Sequence, residues 1–375
     1  MLSDYLPWIV AGAVVLALVI GGVIMTRVAP EVTSPLRRRR PRPPRGHFRS
    51  GEEQETPVRR AAVIINPTKF TDLRPVRERI TATCRANGWG EPVFLETTAD
   101  DPGPGQAASA VREGVDVVCT LGGDGTVRNV AGVLVGTEMP LGILPAGTGN
   151  LLARNLDLPV ALESALTVAL TGRNRRIDVG ELRIGPLEAA PDGEAQEVDE
   201  ASGLGPQTHH FLVMSGVGMD AAIMAGTNEN LKNKVGWPAY LLSGAKHLIS
   251  PEFRITVRVD DEPEFRRRSR MVVIGNCGRL LGGLVLMPNA VVDDGRLDAV
   301  IASPRGLVGW VPVATRVATR QRKGHPTLDH KVCTEIRVVV DRPVPVQVDG
   351  DVLGEATEVT AVVRPGALTV RVSQN

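Results

Sequence analysis

Aromatic residues are scarce: four Trp, two Tyr and six Phe amount to 3% of 375 residues. The core therefore has to rest on Val, Leu, Ile and Ala. A content of 43% hydrophobic and 23% charged residues is that of a globular chain, not a disordered one. An excess of either charge is also missing, since 43 basic residues face 42 acidic ones for a net charge of +1. That balance gives no footprint for nucleic acid and confines any basic function to a local patch. Cysteine is sparse. Cys84, Cys119, Cys277 and Cys333 lie far apart with no C-x-x-C spacing, which excludes a disulfide framework and points to a reduced, intracellular catalytic part. Cys119 stands in an apolar run and reads as a small buried hydrophobe. The six histidines show no metal-ligand spacing, and the adjacent His209 and His210 suit a single metal poorly. No internal repeat is visible.

Charge is absent altogether from Tyr5 to Thr26, a run of mostly Val, Ile, Leu, Ala and Gly. As a helix it spans on the order of 33 Å, about one bilayer core, with Tyr5 and Trp8 where interfacial aromatics belong. A cleaved secretory signal needs a basic segment first, whereas only Met1 to Asp4 precede the run, with an acid among them. The positive residues come afterwards, at Arg27, Arg37 to Arg40, Arg42, Arg45 and Arg49. The expectation is a single transmembrane anchor over 1–29, N-terminus outside, with the rest of the chain cytoplasmic at the cell membrane. Residues 30–58 form a linker rich in Pro and Arg, too polar to fold. Its arginines set topology and can also hold anionic lipid headgroups.

Beyond the linker, short apolar runs alternate with helical spacing. Strands are expected at Ala61 to Pro67, Glu91 to Thr98, Val115 to Leu121 and Leu141 to Pro145. Helices are expected at Leu73 to Asn87, Gln106 to Glu113, Arg128 to Val135 and from Leu151. This pattern predicts an α/β domain with a parallel sheet over 59–172. From 173 to 375 the runs become short and alternating, as an all-β, sandwich-like domain requires: RIDVGELRI, HHFLVMSGVG, EFRITVRVD, RRRSRMVVIGN, RLDAVIA, EIRVVV, PVPVQVDG and ALTVRV. Gly185 to Thr208 reads as a disordered hairpin tip, and Asn230 to Ile249 and Gly306 to Gln321 read as helices.

The chemistry gathers at strand ends. Leu121 to Thr126 (LGGDGT) follows a strand and precedes a helix, where open α/β sheets bind ligands. Gly122, Gly123 and Gly125 let backbone approach a phosphate. Their N–H groups and the helix N-terminus favour an anion, and Thr126 adds a hydroxyl. Asp124 amid phosphates needs a cation or a hydrogen-bonding partner. Leu144 to Asn150 (LPAGTGN) repeats the arrangement, and Asn66 to Lys69 (NPTK) ends the first strand with a lysine for phosphate charge. Three such loops on one sheet edge make a nucleotide cleft. None matches G-x-x-x-x-G-K-[ST] or the dinucleotide fingerprint, which disfavours a P-loop fold and a Rossmann dehydrogenase.

These loops, with Ser215 to Ala221 (SGVGMDA), Gly282 to Asp298 (GGLVLMPNAVVDDGRLD) and Gln347 to Asp351 (QVDGD), resemble the bacterial diacylglycerol kinase family, whose catalytic domain sphingosine and ceramide kinases share. The resemblance covers Ala61 to about Val372. It implies a cleft between an α/β nucleotide domain and a β-sandwich, with ATP and Mg2+ as cofactors. ATP would contact Asn66, Pro67, Thr68 and Lys69, then Thr98 (or Thr97), and Gly122, Gly123, Asp124, Gly125, Thr126, Val127 and Arg128. Gly147, Thr148, Gly149 and Asn150 complete that set. Magnesium would be held by Asp294 with carbonyls of Val291 and Arg296; bottom-up, Asp293-Asp294-Gly295 is a turn whose hard oxygens suit magnesium or a plain hairpin turn. The resemblance makes Asp351 the general base, supported by Asp349 through a network that includes Asp124. Two acids one residue apart on an extended strand point the same way, though Asp-Gly is also a hairpin signal.

The chain departs from the resembled pattern in three places. Thr68-Lys69-Phe70 stands for Ser-Gly in the first loop, Arg128 for Asn, and Asp351 for a glutamate base. The function implied is phosphoryl transfer from ATP to a lipid hydroxyl, first of all diacylglycerol to phosphatidic acid. A sphingoid or ceramide kinase, a kinase of the NAD kinase sort and a non-catalytic nucleotide or lipid sensor are the alternatives. The expected partner is a membrane lipid, with no nucleic acid, and a homodimer is left open.

Overall fold

The computed structural model describes residues 58–185, 208–218, 252–280, 284–304, 309 and 328–374. The anchor, the linker up to 57, the body of the 185–208 tip and, residue 309 apart, the helices at 230–249 and 306–321 lie outside the described residues. Among the described residues no helix is long and apolar enough to cross a membrane.

The first unit carries strands β1 (Ala61–Ile65), β2 (Val93–Glu96), β3 (Val117–Gly122) and β4 (Leu141–Pro145), parallel in the order β2-β1-β3-β4. Its helices are α1 (Arg74–Ala86), α2 (Pro104–Arg112), α3 (Asp124–Leu134), α4 (Leu151–Asn155) and α5 (Leu162–Thr171). Alternate β1 residues explain why the run is apolar throughout. Ala61, Val63 and Ile65 pack under Val76, Ile80 and Cys84 of α1 and Leu166 and Leu170 of α5. Ala62 and Ile64 face Ala107 and Ala110 of α2 and Val130 and Leu134 of α3. With helices on both faces, a strand has no solvent side to mark with polar residues. Cys119 of β3 is fully buried, and burial pushes its thiol up to about 12.

The second unit comprises β5 (Arg173–Ile184), β6 (Thr208–Phe211), β7 (Met214–Gly218), β8 (Phe253–Val259), β9 (Phe265–Ser269), β10 (Met271–Gly275), β11 (Leu297–Ala302), β12 (Leu328–Cys333), β13 (Glu335–Val348) and β14 (Asp351–Val372). Its pairings are antiparallel, and Phe211, Ile255, Ile274, Ile336 and Val338 lie in its own apolar core. The two units share hydrogen bonds, because the end of β14 runs parallel to β4 through Val370 and Leu141. One 14-stranded sheet therefore crosses both.

Several expected elements shift. EIRVVV and PVPVQVDG are one strand, β13, with a register shift between Val339 and Val344 that absorbs Arg342-Pro343. The last strand begins sixteen residues earlier than ALTVRV, at Asp351, and bends between Arg364 and Leu368, where Gly366 takes a φ of 55°. HHFLVMSGVG divides at Leu212-Val213, whose N–H groups leave the ladder for a carboxylate. Helix α3 starts at Asp124, not Arg128, so the GDGT segment is itself the first helical turn.

Candidate active site

Three strand ends converge. At the end of β1 the Asn66 N–H donates to the Leu121 carbonyl at 2.9 Å. The Asn66 side chain caps the short turn Pro67–Lys69 by accepting from the Thr68 N–H (3.1 Å) and hydroxyl (2.7 Å), and its amide donates to the Thr126 hydroxyl at 3.4 Å. The first loop is thereby tied to the first turn of α3. Lys69 is exposed beside it. Of the two threonines after β2, Thr97 is buried and Thr98 exposed, the hydroxyl of Thr98 accepting from the Asp101 N–H.

The two glycine loops touch backbone to backbone. A Cβ on Gly147 would stand 2.7 Å from the Gly123 Cα, and one on Gly122 would stand 2.5 Å from the Thr126 Oγ1. Asn150 takes a left-handed conformation (φ 48°) and closes its loop by accepting from the Gly147 N–H and donating to the Gly147 carbonyl. Asp124 has the partner its position demanded: its Oδ1 accepts from the Leu151 N–H at 2.6 Å. This one carboxylate therefore braces the first turn of α4 while sitting in the first turn of α3, where the helix dipole favours a negative charge. Burial raises its carboxyl above the ordinary range, the Leu151, Asn150 and Asp124 amides oppose that, and the charge of Asp351 adds to it. The free N–H groups at a helix start remain available to an anion.

The hairpin between β13 and β14 closes the other side. Val348 pairs with Asp351, and the two residues between them, Asp349 and Gly350, have φ values of 47° and 93°, the positive pair that a two-residue type I′ turn needs. The expectation that Asp349 and Asp351 lie on one extended strand and point the same way is thus corrected. Asp-Gly is the turn. Asp349 is taken up by three backbone amides, Leu212 (2.8 Å), Val213 (2.9 Å) and Met214 (3.0 Å), while its own N–H donates to the Met214 carbonyl. Burial lifts its carboxyl to about 6, against the pull of those amides and of the Arg128 charge. Its oxygens hold the β6–β7 connection, and the proposed link from Asp349 to Asp351 and Asp124 is absent from the hydrogen bonds of the described residues.

Asp351 lies beside the glycine cradle. Its Oδ2 lies 2.5 Å from the Arg128 Nη2 and 3.4 Å from where a Cβ on Gly125 would sit. The Arg128 side chain is 15% exposed and that of Asp351 54%. Two of the three departures from the resembled pattern are therefore the two ends of one ion pair. His209 of β6, unused by the sequence reading, is kept below its ordinary range by burial and by the nearby Arg128 charge.

The expected magnesium turn lies apart: no hydrogen bond or ion pair of the described residues joins it to the loops. Asp293 is paired with Arg175 at 2.8 and 2.9 Å. Asp294 is exposed, and its Oδ1 accepts from the Arg296 N–H, while Val291 is 45% exposed. The residue that shapes this turn escaped the sequence reading. Asp178 of β5, 2% exposed, accepts from the Gly295 N–H (2.6 Å) and the Gly366 N–H (2.7 Å). Burial, then the charges of Asp298 and Asp178, raise the Asp294 carboxyl. Surplus negative charge beside one exposed carboxylate and turn carbonyls fits a magnesium ion that keeps most of its waters. No group of three or more His, Cys, Asp or Glu among the described residues is arranged around a metal.

Comparison with known proteins matches both units. The family model described as "Diacylglycerol kinase catalytic domain" matches residues 60–182, and that of the "YegS C-terminal NAD kinase beta sandwich-like domain" matches residues 212–372. A diacylglycerol kinase of Mycobacterium tuberculosis is 30% identical over 277 residues, 70% of this chain and 79% of that one. A diacylglycerol kinase of Staphylococcus saprophyticus is 24% identical over 302 residues, 79% of this chain and 90% of its own. A Pseudomonas fluorescens chain named "Probable lipid kinase YegS-like" is 29% identical over 326 residues, 84% of this chain and 96% of that one. The crystal structure of a diacylglycerol kinase from Bacillus anthracis superposes with a TM-score of 0.60 at 20% identity, covering 84% of this chain and 98% of that one.

Proposed function

Because the chain belongs to the diacylglycerol kinase family, and is a lipid kinase that uses ATP, we propose that its acceptor is the free hydroxyl of a membrane diacylglycerol and its product phosphatidic acid. The observation that carries the reading is the position of Asp351, held on a hairpin against the first turns of α3, beside the N–H groups that suit a phosphate. The acceptor oxygen attacks the γ-phosphorus, the bond to the β-phosphate oxygen breaks with its electron pair leaving on ADP, and Asp351 takes the hydroxyl proton. Oδ2 is engaged by Arg128, so Oδ1 is the atom left to receive that proton. Donors of the glycine loops offset charge on the phosphoryl oxygens. Asp294, with the carbonyls of Val291 and Arg296, would hold magnesium, which would supply positive charge at that turn.

The uncharged run before Arg27 and the arginines after it support an anchor with the kinase on the cytoplasmic side, where the acceptor lipid stays within reach. The linker arginines then face anionic headgroups. The test is purified protein with labelled ATP against diacylglycerol, ceramide, a sphingoid base, NAD and no acceptor. Label entering phosphatidic acid well above every other acceptor is the expected result. Preferential labelling of ceramide or the sphingoid base would move the acceptor, and no labelling at all would leave the chain a sensor.

A further inference from the structure

Arg128 reaches 223 positions along the chain to Asp351, yet the pair contributes little to holding the units together, because Asp351 is half exposed and such pairs give at most about 1 kcal/mol. A second donor of the same guanidinium is left unmatched. The Arg128 Nε is buried and has no hydrogen-bond partner among the described residues. A buried, unmatched donor in a native site calls for an explanation. Arg128 is also one turn along α3 from Asp124, on the helix whose first N–H groups form the phosphate cradle. Guanidinium is planar and presents its donors in a fixed fork, so one group can serve two anions at once.

Resting on the assignment of Asp351 as base, we propose that Arg128 bridges the base and the transferring phosphoryl group. Its Nη2 fixes Asp351 through Oδ2 so that Oδ1 faces the acceptor hydroxyl, and its buried Nε donates to a phosphoryl oxygen when nucleotide is bound. Atoms and charge balance without a further reactant: the hydroxyl proton passes to Oδ1, the phosphoryl group passes to the acceptor oxygen, and the guanidinium keeps its protons throughout. The bridge couples the two events, since the base is placed by the same group that meets the phosphate. A short aspartate, whose carboxylate stands back by about 1.3–1.5 Å relative to glutamate, benefits most from being held rigidly.

The test is a double-mutant cycle in the full chain, read as kcat and KM for ATP on detergent-dispersed diacylglycerol. Arg128→Gln, which leaves a shorter polar side chain without the charge, is expected to lower kcat on the order of 10²–10³-fold, the scale of removing a donor to a developing charge, with a smaller rise in KM for ATP. Asp351→Asn lowers kcat by roughly 10²–10⁴-fold. The double variant is expected to be about as slow as the slower single variant, because groups acting as one unit do not add. Arg128→Lys, with charge but no fork, should recover only part of kcat. A loss in Arg128→Gln that falls wholly on KM for ATP would make Arg128 a nucleotide holder, and losses that multiply would make the two groups independent. Either result overturns the bridge while leaving the base assignment intact. Parent-like turnover in Asp351→Asn removes the base, and the bridge with it. Melting curves for every variant separate these readings from misfolding.

Discussion

Two acids stand one residue apart in QVDGD, and their substitution should give opposite signatures. Asp349→Ala removes the acceptor of three backbone amides. At about 1 kcal/mol for each orphaned N–H, the low end of the usual range, the loss is at least about 3 kcal/mol. A non-glycine Cβ at a φ of 47° lacking an Asx side chain adds about 1 kcal/mol. A total of about 4 kcal/mol should lower the melting temperature by roughly 10 °C in a chain of this size. Asp351→Asn, half exposed and outside that network, should melt with the parent and lose turnover. Asp349→Asn keeps the left-handed preference and should hold turnover within roughly tenfold of the parent, since its role is to place a turn.

The same residue gives a pH signature. Its carboxyl sits at about 6 in the fold against about 3.9 in an unfolded chain. The native state therefore binds more protons between those values. Its contribution is most favourable below about pH 4 and falls as pH rises through 6, by on the order of 3 kcal/mol. Asp349→Asn should flatten that segment of the stability curve, measured by urea unfolding at pH 4 to 7.5. If Asp349→Ala melts as the parent does and loses turnover as Asp351→Asn does, Asp349 is a reacting group and the scaffold argument is wrong.

Gly147→Ala drives a Cβ into the Gly123 backbone at 2.7 Å, which has no rotamer to yield; a stability loss of about 1–3 kcal/mol and a raised KM for ATP are expected, whereas Gly123→Ala meets only an ordinary 3.5 Å contact and should fold normally. Asp178→Ala frees the Gly295 and Gly366 amides and should destabilise by about 2–4 kcal/mol, read as a lowered urea midpoint. Asp294→Asn should raise the magnesium concentration for half-maximal activity without moving KM for diacylglycerol; an unchanged magnesium titration would take the ion away from this turn. Deleting residues 1–26 should shift the protein from membrane to supernatant while activity on detergent-dispersed lipid persists. Release of the full chain by high salt alone would mean that electrostatics, not a spanning helix, held it.

Much of this molecule is written locally. An apolar run with helices on both sides can only be a buried parallel strand, so the β1, β3 and β4 segments were legible, as was the position of glycine loops at their ends. Glycine is needed where backbone meets backbone, and the 2.7 Å approach at Gly147 is that need in its simplest form. The family resemblance likewise rests on residues adjacent in sequence. What no local pattern could contain are the long-range partners. Asp178 reads as one polar residue in an alternating strand, and only folding puts its carboxylate between two amides more than a hundred positions away. The resemblance made Asp351 the base and Asp349 its support on one strand; a turn with two positive φ values instead sends Asp349 inward to the β6–β7 amides and leaves Asp351 half exposed against Arg128. Hydrogen-bond satisfaction of buried backbone is a property of the assembled chain, which is why tertiary structure, not sequence, decided which acid is taken up by the β6–β7 amides and which stays half exposed beside Arg128.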